Sequence, residues 1–545
     1  MSHVALPPSD PAPTAGSAAA VCAVSPSWIR AGLVAIAVVF LLARGLVMYR
    51  QPVGQDEDCY AVPGLTILQT GLPQLPHVPA RNPESVYFQA DRMLYSEPPL
   101  AFYLQAAFYA VLPHEVGTAR LAAAIEGLVA LLVLYRLGGR IGLSPLAALV
   151  GVGLFSWSRW FYFPATAARP DILCTLFAFA AIDRMAAWQT SRARRDLIWT
   201  GVYLGLGGLS HPFAIIYAAQ LAFWAVVVSR GARRLTAPLL LAVVALAVAA
   251  VWFPLICMYP EAFRIQFANQ FGGSAGGPLW WRLLVPFESI AYHADKMIEH
   301  VGLIQCVMAV AGLVVLSFGI RREPEASAPG ATPAEKLPTP PLAAVTLLGW
   351  TAAYLISALV GPHHPVIGYW VYPAGIAFLG LGRLVELVAL GLADRILRGV
   401  APRLALPVAV AVVSLVPLAA LVPGCGLRTL VVHLRKGDDI NYNATRFANR
   451  LIESLPADAI IAVDTQFAVN FVAAGRKTLL ATTLPQYFRL DQFEYDYLII
   501  SRYGVDNRLA AELGARLERV EGDQADRFAC FAEVYRPADS APRSD

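Results

Sequence analysis

Runs of about twenty mostly apolar residues, the length an α-helix needs to cross a bilayer, recur from one end of this chain to the other. They fall near 29–48, 119–140, 145–163, 170–188, 197–210, 212–229, 236–258, 298–319, 342–360, 366–384 and 404–423. Of the 545 residues, 57% are hydrophobic and 15% charged, against roughly 45–50% and about 25% in soluble domains. That surplus of apolar side chains needs a solvent other than water. The expected architecture is an all-α polytopic membrane domain of about eleven transmembrane helices. A net charge of +4 gives no reason to expect a nucleic-acid partner. Seven cysteines lie scattered without C-x-x-C spacing, so neither a zinc site nor a redox pair is indicated.

Arginine placement tests the orientation, because cytoplasmic loops collect basic residues. With a cytoplasmic N-terminus, Arg136 and Arg140, Arg192, Arg194 and Arg195, Arg230, Arg233 and Arg234, Arg321 and Arg322, and Arg395, Arg398 and Arg403 all fall inside. The reading is a multi-pass protein of the inner (plasma) membrane. Residues 1–28, rich in Pro, Ala and Ser and lacking a basic start, read as a disordered cytoplasmic tail rather than a signal peptide. Residues 29–424 form the membrane domain, with 320–341 as a cytoplasmic linker.

Residues 197–229 are tight for two spans, and His211-Pro212 is where they must turn back. Three segments lie outside: 50–118, 259–297 and everything after 424. In the second, the run Gly272 to Gly277, flanked by Phe263–Phe271 and Trp280-Trp281, suggests a mobile lid. The third reads as a small α/β domain, 425–537, before a tail at 538–545. Ile460–Val463 and Tyr497–Ile500 look like buried strands, Asn507–Val520 has helical spacing, and Phe528–Tyr535 reads as a last strand. Cys425 and Cys530 share that side and could pair, although nothing in their spacing demands it.

Chemistry-bearing residues gather at the outer helix ends. Asp56, Glu57 and Asp58 follow the first helix, and Asp171 follows Arg169-Pro170 at the mouth of the fourth. Arg120, His211, His363 and His364 map to the same face. Each has a plain structural explanation: a solvated loop for the acids, a helix start for Asp171, a turn for His211. Together they offer a base for a hydroxyl acceptor and cations for a phosphate. Glu126, inside the second helix, serves equally as a functional carboxylate or a helix–helix hydrogen bond. Asp183 beside Arg184 suits an ion pair at the cytoplasmic end.

Asp56-Glu57-Asp58-Cys59-Tyr60-Ala61 resembles the D-E-x-x-Y-A motif that follows the first helix in GT-C membrane glycosyltransferases. The resemblance is to family 39, the protein mannosyltransferases, and to the lipid A aminoarabinose transferases. Tyr95–Leu100 (YSEPPL) resembles their Y-x-E-K-P-P-L segment and Ala119-Arg120-Leu121 their A-R-L-P helix start. Arg169-Pro170-Asp171 stands where they carry a second functional aspartate. Gly207–Pro212 (GGLSHP) and Gly368–Pro373 (GYWVYP) resemble later segments. The lysine of E-K-P-P and the arginine of the R-Y-L-L-P type segment are missing.

The resemblance implies a GT-C fold and inverting transfer from a polyprenyl- or dolichyl-phosphate sugar in the membrane lipid to an acceptor protein, lipid or glycan. Asp56 would be the base, Glu57 its support, and Asp171 a second acid that orients the acceptor or assists a divalent metal. The third acid, Asp58, is not required by the motif. Glu97, Arg120, Arg169, His211, His363, His364 and Tyr369 would contact donor or acceptor. No cofactor is specified. The rival reading is a lipid-carrier flippase or transporter, which calls for ionisable groups at the bilayer midplane and paired broken helices.

Overall fold

The computed structural model describes residues 25–54, 56–272, 279–319, 341–360, 367–397, 405–484, 487–502, 504 and 508–538. His363 and His364, residues 273–278 of the expected lid, and linker residues 320–340 lie outside the described residues.

The chain opens with α1 (Pro26–Arg50), α2 (Glu57–Thr70) and α3 (Leu100–Tyr109). Next come α4 (Val116–Arg140), α5 (Pro145–Trp157), the single turn α6 (Arg159–Tyr162) and α7 (Asp171–Ser191). The turn at His211-Pro212 joins α8 (Arg194–Ser210) to α9 (Ala214–Val228), followed by α10 (Arg233–Ala249) and α11 (Phe253–Met258). The described residues of the segment 259–297 form α12 (Pro260–Gly272), α13 (Leu279–Leu284) and the start of α14 (Phe287–Val301). α15 (Leu303–Gly319), α16 (Pro341–Val360), α17 (Val371–Leu392) and α18 (Ala405–Leu421) complete the bundle.

A helix lies at each expected run, but the count of eleven spans is not reached. Among the described residues, six helices are long and apolar enough to cross a membrane, or seven if the bent pair α14–α15 counts as one span. The chain is a multi-pass membrane protein. α5 and α9, with 13 and 15 residues, reach only about 20–23 Å at 1.5 Å per residue. α7 is longer but carries Asp171, Asp183 and Arg184.

Because lipid tails are as apolar as Leu, helices in a membrane associate through close backbone approach. α15 and α5 both meet α17 in this way. A Cβ on Gly312 would collide with the Ala377 carbonyl, one on Gly380 with Gly312, and one on Gly382 with Ala147. At the arginine-rich end Asp183 accepts from Arg136 (2.6 Å) and Arg184 (2.6 Å), which ties α4 to α7.

The C-terminal part contains α19 (Leu427–Arg435), α20 (Ala444–Glu453), β1 (Ile460–Val463), α21 (Thr465–Ala473), β2 (Lys477–Leu480) and β3 (Tyr497–Ser501). α22 (Leu509–Glu512), β4 (Ala515–Gly522) and β5 (Phe531–Pro537) follow. The sheet order is β2-β1-β3-β5-β4. β1 is parallel to β2 and β3, while β5 runs antiparallel to β3 and β4. The helix expected over 507–520 is instead one turn and a strand. Gly514, at φ +63°, takes the left-handed conformation that ends a helix, and the next residues find a partner in β5. Exposed Arg516 and Glu518 then guard this edge strand against pairing with other chains.

One sheet face is covered by α20 and α21, with Phe447, Phe467 and Phe471 on Ile461, Val463 and Ile499. The other face has no helical layer of its own. Ala462, Leu498 and Ile500 share a core with Leu75, Val78 and Ala80 of the 50–118 segment. Tyr87 stacks on Tyr487 with centroids 5.1 Å apart, and the Leu480 N–H donates to the His77 carbonyl (2.8 Å). Cys425 and Cys530 are both buried and both free.

Candidate active site

Asp56 caps α2 from the left-handed region, at φ +66°. Few non-glycine residues enter that region, and Asp is among those that tolerate it. Buried anchors follow it in the first turn of α2. Glu57 accepts from Arg120 Nε (2.8 Å) and Nη2 (2.5 Å), and from the N–H groups of Gly54 (2.6 Å) and Ala168 (2.8 Å). Burial pushes its carboxyl up, yet the Arg120 charge and these donors hold it below the usual carboxylate range. Asp58, fully buried, lies 3.2 Å from His77 Nε2.

Arg120 does not take the role the sequence suggests. Its guanidinium spends all five N–H donors on Glu57 and on the carbonyls of Met48, Gln51 and Pro52, which exhausts the group. No donor remains for a phosphate, so Arg120 is an anchor for the acidic turn. Glu57 is likewise turned inward, onto Arg120 and the N–H groups of Gly54 and Ala168.

Arg169 sits between the two other acids. Its Nη1 is 3.5 Å from Asp56 Oδ2, and its Nε donates to Asp171 Oδ2 at 2.8 Å. The guanidinium also lies 4.9 Å from the Tyr60 ring centroid, a cation–π distance. Exposure separates the two carboxylates: the Asp56 side chain is 41% exposed and that of Asp171 1%. Asp171 packs so closely on Gly368 that a Cβ there would collide with its carboxylate. Among the described residues its Oδ1 is buried without a hydrogen-bond partner.

His211 Nδ1 accepts from the Phe213 N–H (3.1 Å), so the neutral ring carries its proton on Nε2. Burial, aided by Arg169 and opposed by Asp171, pulls the His211 pKa down to about 4. Burial first, then Asp171 with Asp56 behind it, pushes the Glu97 carboxyl up to about 8 against the pull of Arg169. Glu97 Oε2 and His211 Nε2 are 3.7 Å apart, too far for a hydrogen bond. They are two neutral groups near pH 7, each with a buried, unpartnered polar atom, rather than an ion pair.

Glu97 is placed by a residue the sequence did not flag. Gln266 of α12, fully buried, accepts from the N–H groups of Tyr95 (2.6 Å) and Ser96 (2.9 Å). It donates in turn to the carbonyls of Phe88 (2.8 Å) and Met93 (2.9 Å). A lone amide between Ile265 and Phe267 was the available signal. Arg282 of α13 was also missed. It donates to the Leu359 carbonyl (2.8 Å) at the end of α16.

Asp171, His211 and Tyr369 line the mouth of a narrow cleft of about 30 Å³, with Cys174, Tyr217 and Tyr372 deeper. Tyr369 stacks on Phe213 at 3.8 Å. The cleft runs between α7, α9, α16 and α17 and is mostly apolar below its mouth. Among the described residues no three His, Cys, Asp or Glu side chains converge as a metal site.

Residues 96–256, which carry Glu97, Arg169, Asp171 and His211 but begin after Asp56, match the family model for dolichyl-phosphate-mannose-protein mannosyltransferases. ArnT from Cupriavidus metallidurans in the apo state superposes with a TM-score of 0.61 at 15% identity, over 93% of this chain and 98% of that one. The fold is GT-C. The same ArnT bound to undecaprenyl phosphate gives a TM-score of 0.58 at 15% identity, over 94% and 98% of the two chains. The archaeal oligosaccharyltransferase AglB from Archaeoglobus fulgidus, in complex with an inhibitory peptide and a dolichol-phosphate, gives 0.50 at 12% identity, over 89% and 70%. No curated protein sequence matches the chain at a significant level.

Proposed function

We propose that this GT-C protein is a glycosyltransferase that moves a sugar from a polyprenyl- or dolichyl-phosphate carrier to an acceptor on the extracytoplasmic side of the membrane. The observation that carries the reading is the pair of acids on Arg169: Asp56 half-exposed, and Asp171 buried at the mouth of an apolar cleft that runs between helices. Bound undecaprenyl phosphate in ArnT and dolichol-phosphate in AglB support an isoprenoid phosphate as the carrier of the donor sugar.

In the proposed step, Asp56 takes the proton of an acceptor hydroxyl or amine as that atom bonds to the anomeric carbon. The bond from this carbon to the phosphate oxygen breaks, and its electrons leave with the carrier phosphate. Attack opposite the leaving phosphate inverts the anomeric centre. Arg169, the His211 Nε2–H and the protonated Glu97 supply donors for the phosphate. Two of the three are neutral, so they hydrogen-bond an anion while leaving Arg169 to balance the acids. Asp171, locked by Arg169 and Gly368, orients rather than abstracts.

Turnover of purified, lipid-embedded protein against panels of isoprenoid-phosphate sugars and acceptors tests the reading. Release of free carrier phosphate coupled to acceptor glycosylation is the expected result. Carrier moved across the bilayer with no sugar transferred would make the protein a flippase instead.

A further inference from the structure

We propose that the buried Asp58–His77 pair, held from behind by β2, positions Asp56, so that the C-terminal domain is a working part of the transfer site. The inference rests on the transferase reading for its activity test, but its geometry stands alone. An L-residue keeps a left-handed backbone such as that of Asp56 only where its neighbours impose it. The first turn of α2 is pinned twice. Glu57 is fastened to the membrane bundle through Arg120. Asp58 is fastened to His77, and both are 0% exposed.

His77 is not secured by its own loop alone. Its carbonyl receives the Leu480 N–H of β2 (2.8 Å). Its neighbours Leu75 and Val78 share a core with Leu480, Phe488 and Leu498. A chain of contacts therefore runs from the sheet through His77 and Asp58 to the residue beside Asp56. Apolar groups of the same shape can replace both partners of a buried hydrogen bond at little cost in stability. A pair retained at this point fits a demand for one orientation better than a demand for stability.

The test uses full-length protein in nanodiscs and two readouts. Amide hydrogen exchange over residues 54–60 reports the acidic turn directly, and kcat against donor KM reports its consequence. Asp58→Asn and His77→Gln are each expected to speed exchange at this turn at least tenfold and to lower kcat about 10–100-fold. Donor KM and thermal midpoint should stay close to wild type. The double variant should lose no more kcat than either single, because both break one device. Phe488→Ala, which loosens the core shared by the domain and the 50–118 segment without altering either residue of the pair, should move both readouts in the same direction. Wild-type rates of exchange and turnover in Phe488→Ala, or single losses that multiply in the double variant, would overturn the inference. If wild-type protein turns over no lipid-linked sugar, the transferase reading fails, and exchange at residues 54–60 still decides the positioning.

Discussion

Asp56 and Asp171 share one arginine, yet only Asp56 keeps a surface through which an acceptor can approach. Asp56→Asn preserves shape and hydrogen bonding and removes basicity, so kcat should fall about 10²–10⁴-fold with the thermal midpoint unchanged. Near-normal turnover of that variant would place the base elsewhere. Asp58→Asn is no neutral control, since Asp58 lies buried against His77. A second prediction follows from Glu97, held near 8 by burial and by Asp171 and Asp56. Below that pH it is a neutral donor; as pH rises through about 8 it ionises and sets a third negative charge beside the two acids. Donor kcat/KM should therefore fall on the alkaline side, and Glu97→Gln should remove that limb. An identical limb in Glu97→Gln would assign it to another group. At this scale the motifs singled out Asp56, Arg169 and Asp171, and the structure brings those three side chains together. Arg120 misled because a motif arginine looks the same whether its donors face a ligand or five acceptors of its own protein. Gln266 and His77 were invisible because their partners lie 171 and 19 residues away.

Among the elements, α14 carries three faces. Ser289, His293 and Met297 turn inward, while Phe287, Ile290 and Ile298 are exposed and apolar. Glu288, Asp295 and Glu299 form an exposed acidic face. The axis turns by 118° into α15 at Gly302, whose φ of +102° suits glycine. With α15 across the membrane, α14 lies close to the membrane plane, as a helix with separate apolar and charged exposed faces does. A cysteine at Glu299 should react quickly with a membrane-impermeant maleimide, and one at Ile298 slowly. Equal labelling would remove α14 from the interface. The apolar run at 298–319 is split in the structure by the turn at Gly302 between α14 and α15, and the helices α12 and α13 are too short to show the long apolar run that marks a span. The strand β4 was mistaken for helix because the apolar spacing of Leu509, Leu513 and Leu517 outweighed Gly514.

For the whole molecule, the Asp183 cluster with Arg136 and Arg184 lies at the opposite end of α4 from Arg120. Reporter fusions at 330 and 440 are expected on opposite sides of the membrane, with 330 cytoplasmic; the same side for both would invalidate the orientation. The α/β character of the last hundred residues was legible in its buried strands. Its dependence on the 50–118 segment was not, since nothing in Leu75, Val78 or Ala80 says which sheet will cover them. That shared core has a consequence for how the protein is made. At about 5–20 residues per second, a ribosome needs roughly 20–80 s to travel from the first of these partners to the last, near Leu498. Throughout that interval the apolar side of the early segment has left the translocation channel and its cover does not exist. A newly made chain should therefore depend on a holding chaperone on that side of the membrane, and a chain interrupted before β3 should be cleared by proteases rather than accumulate.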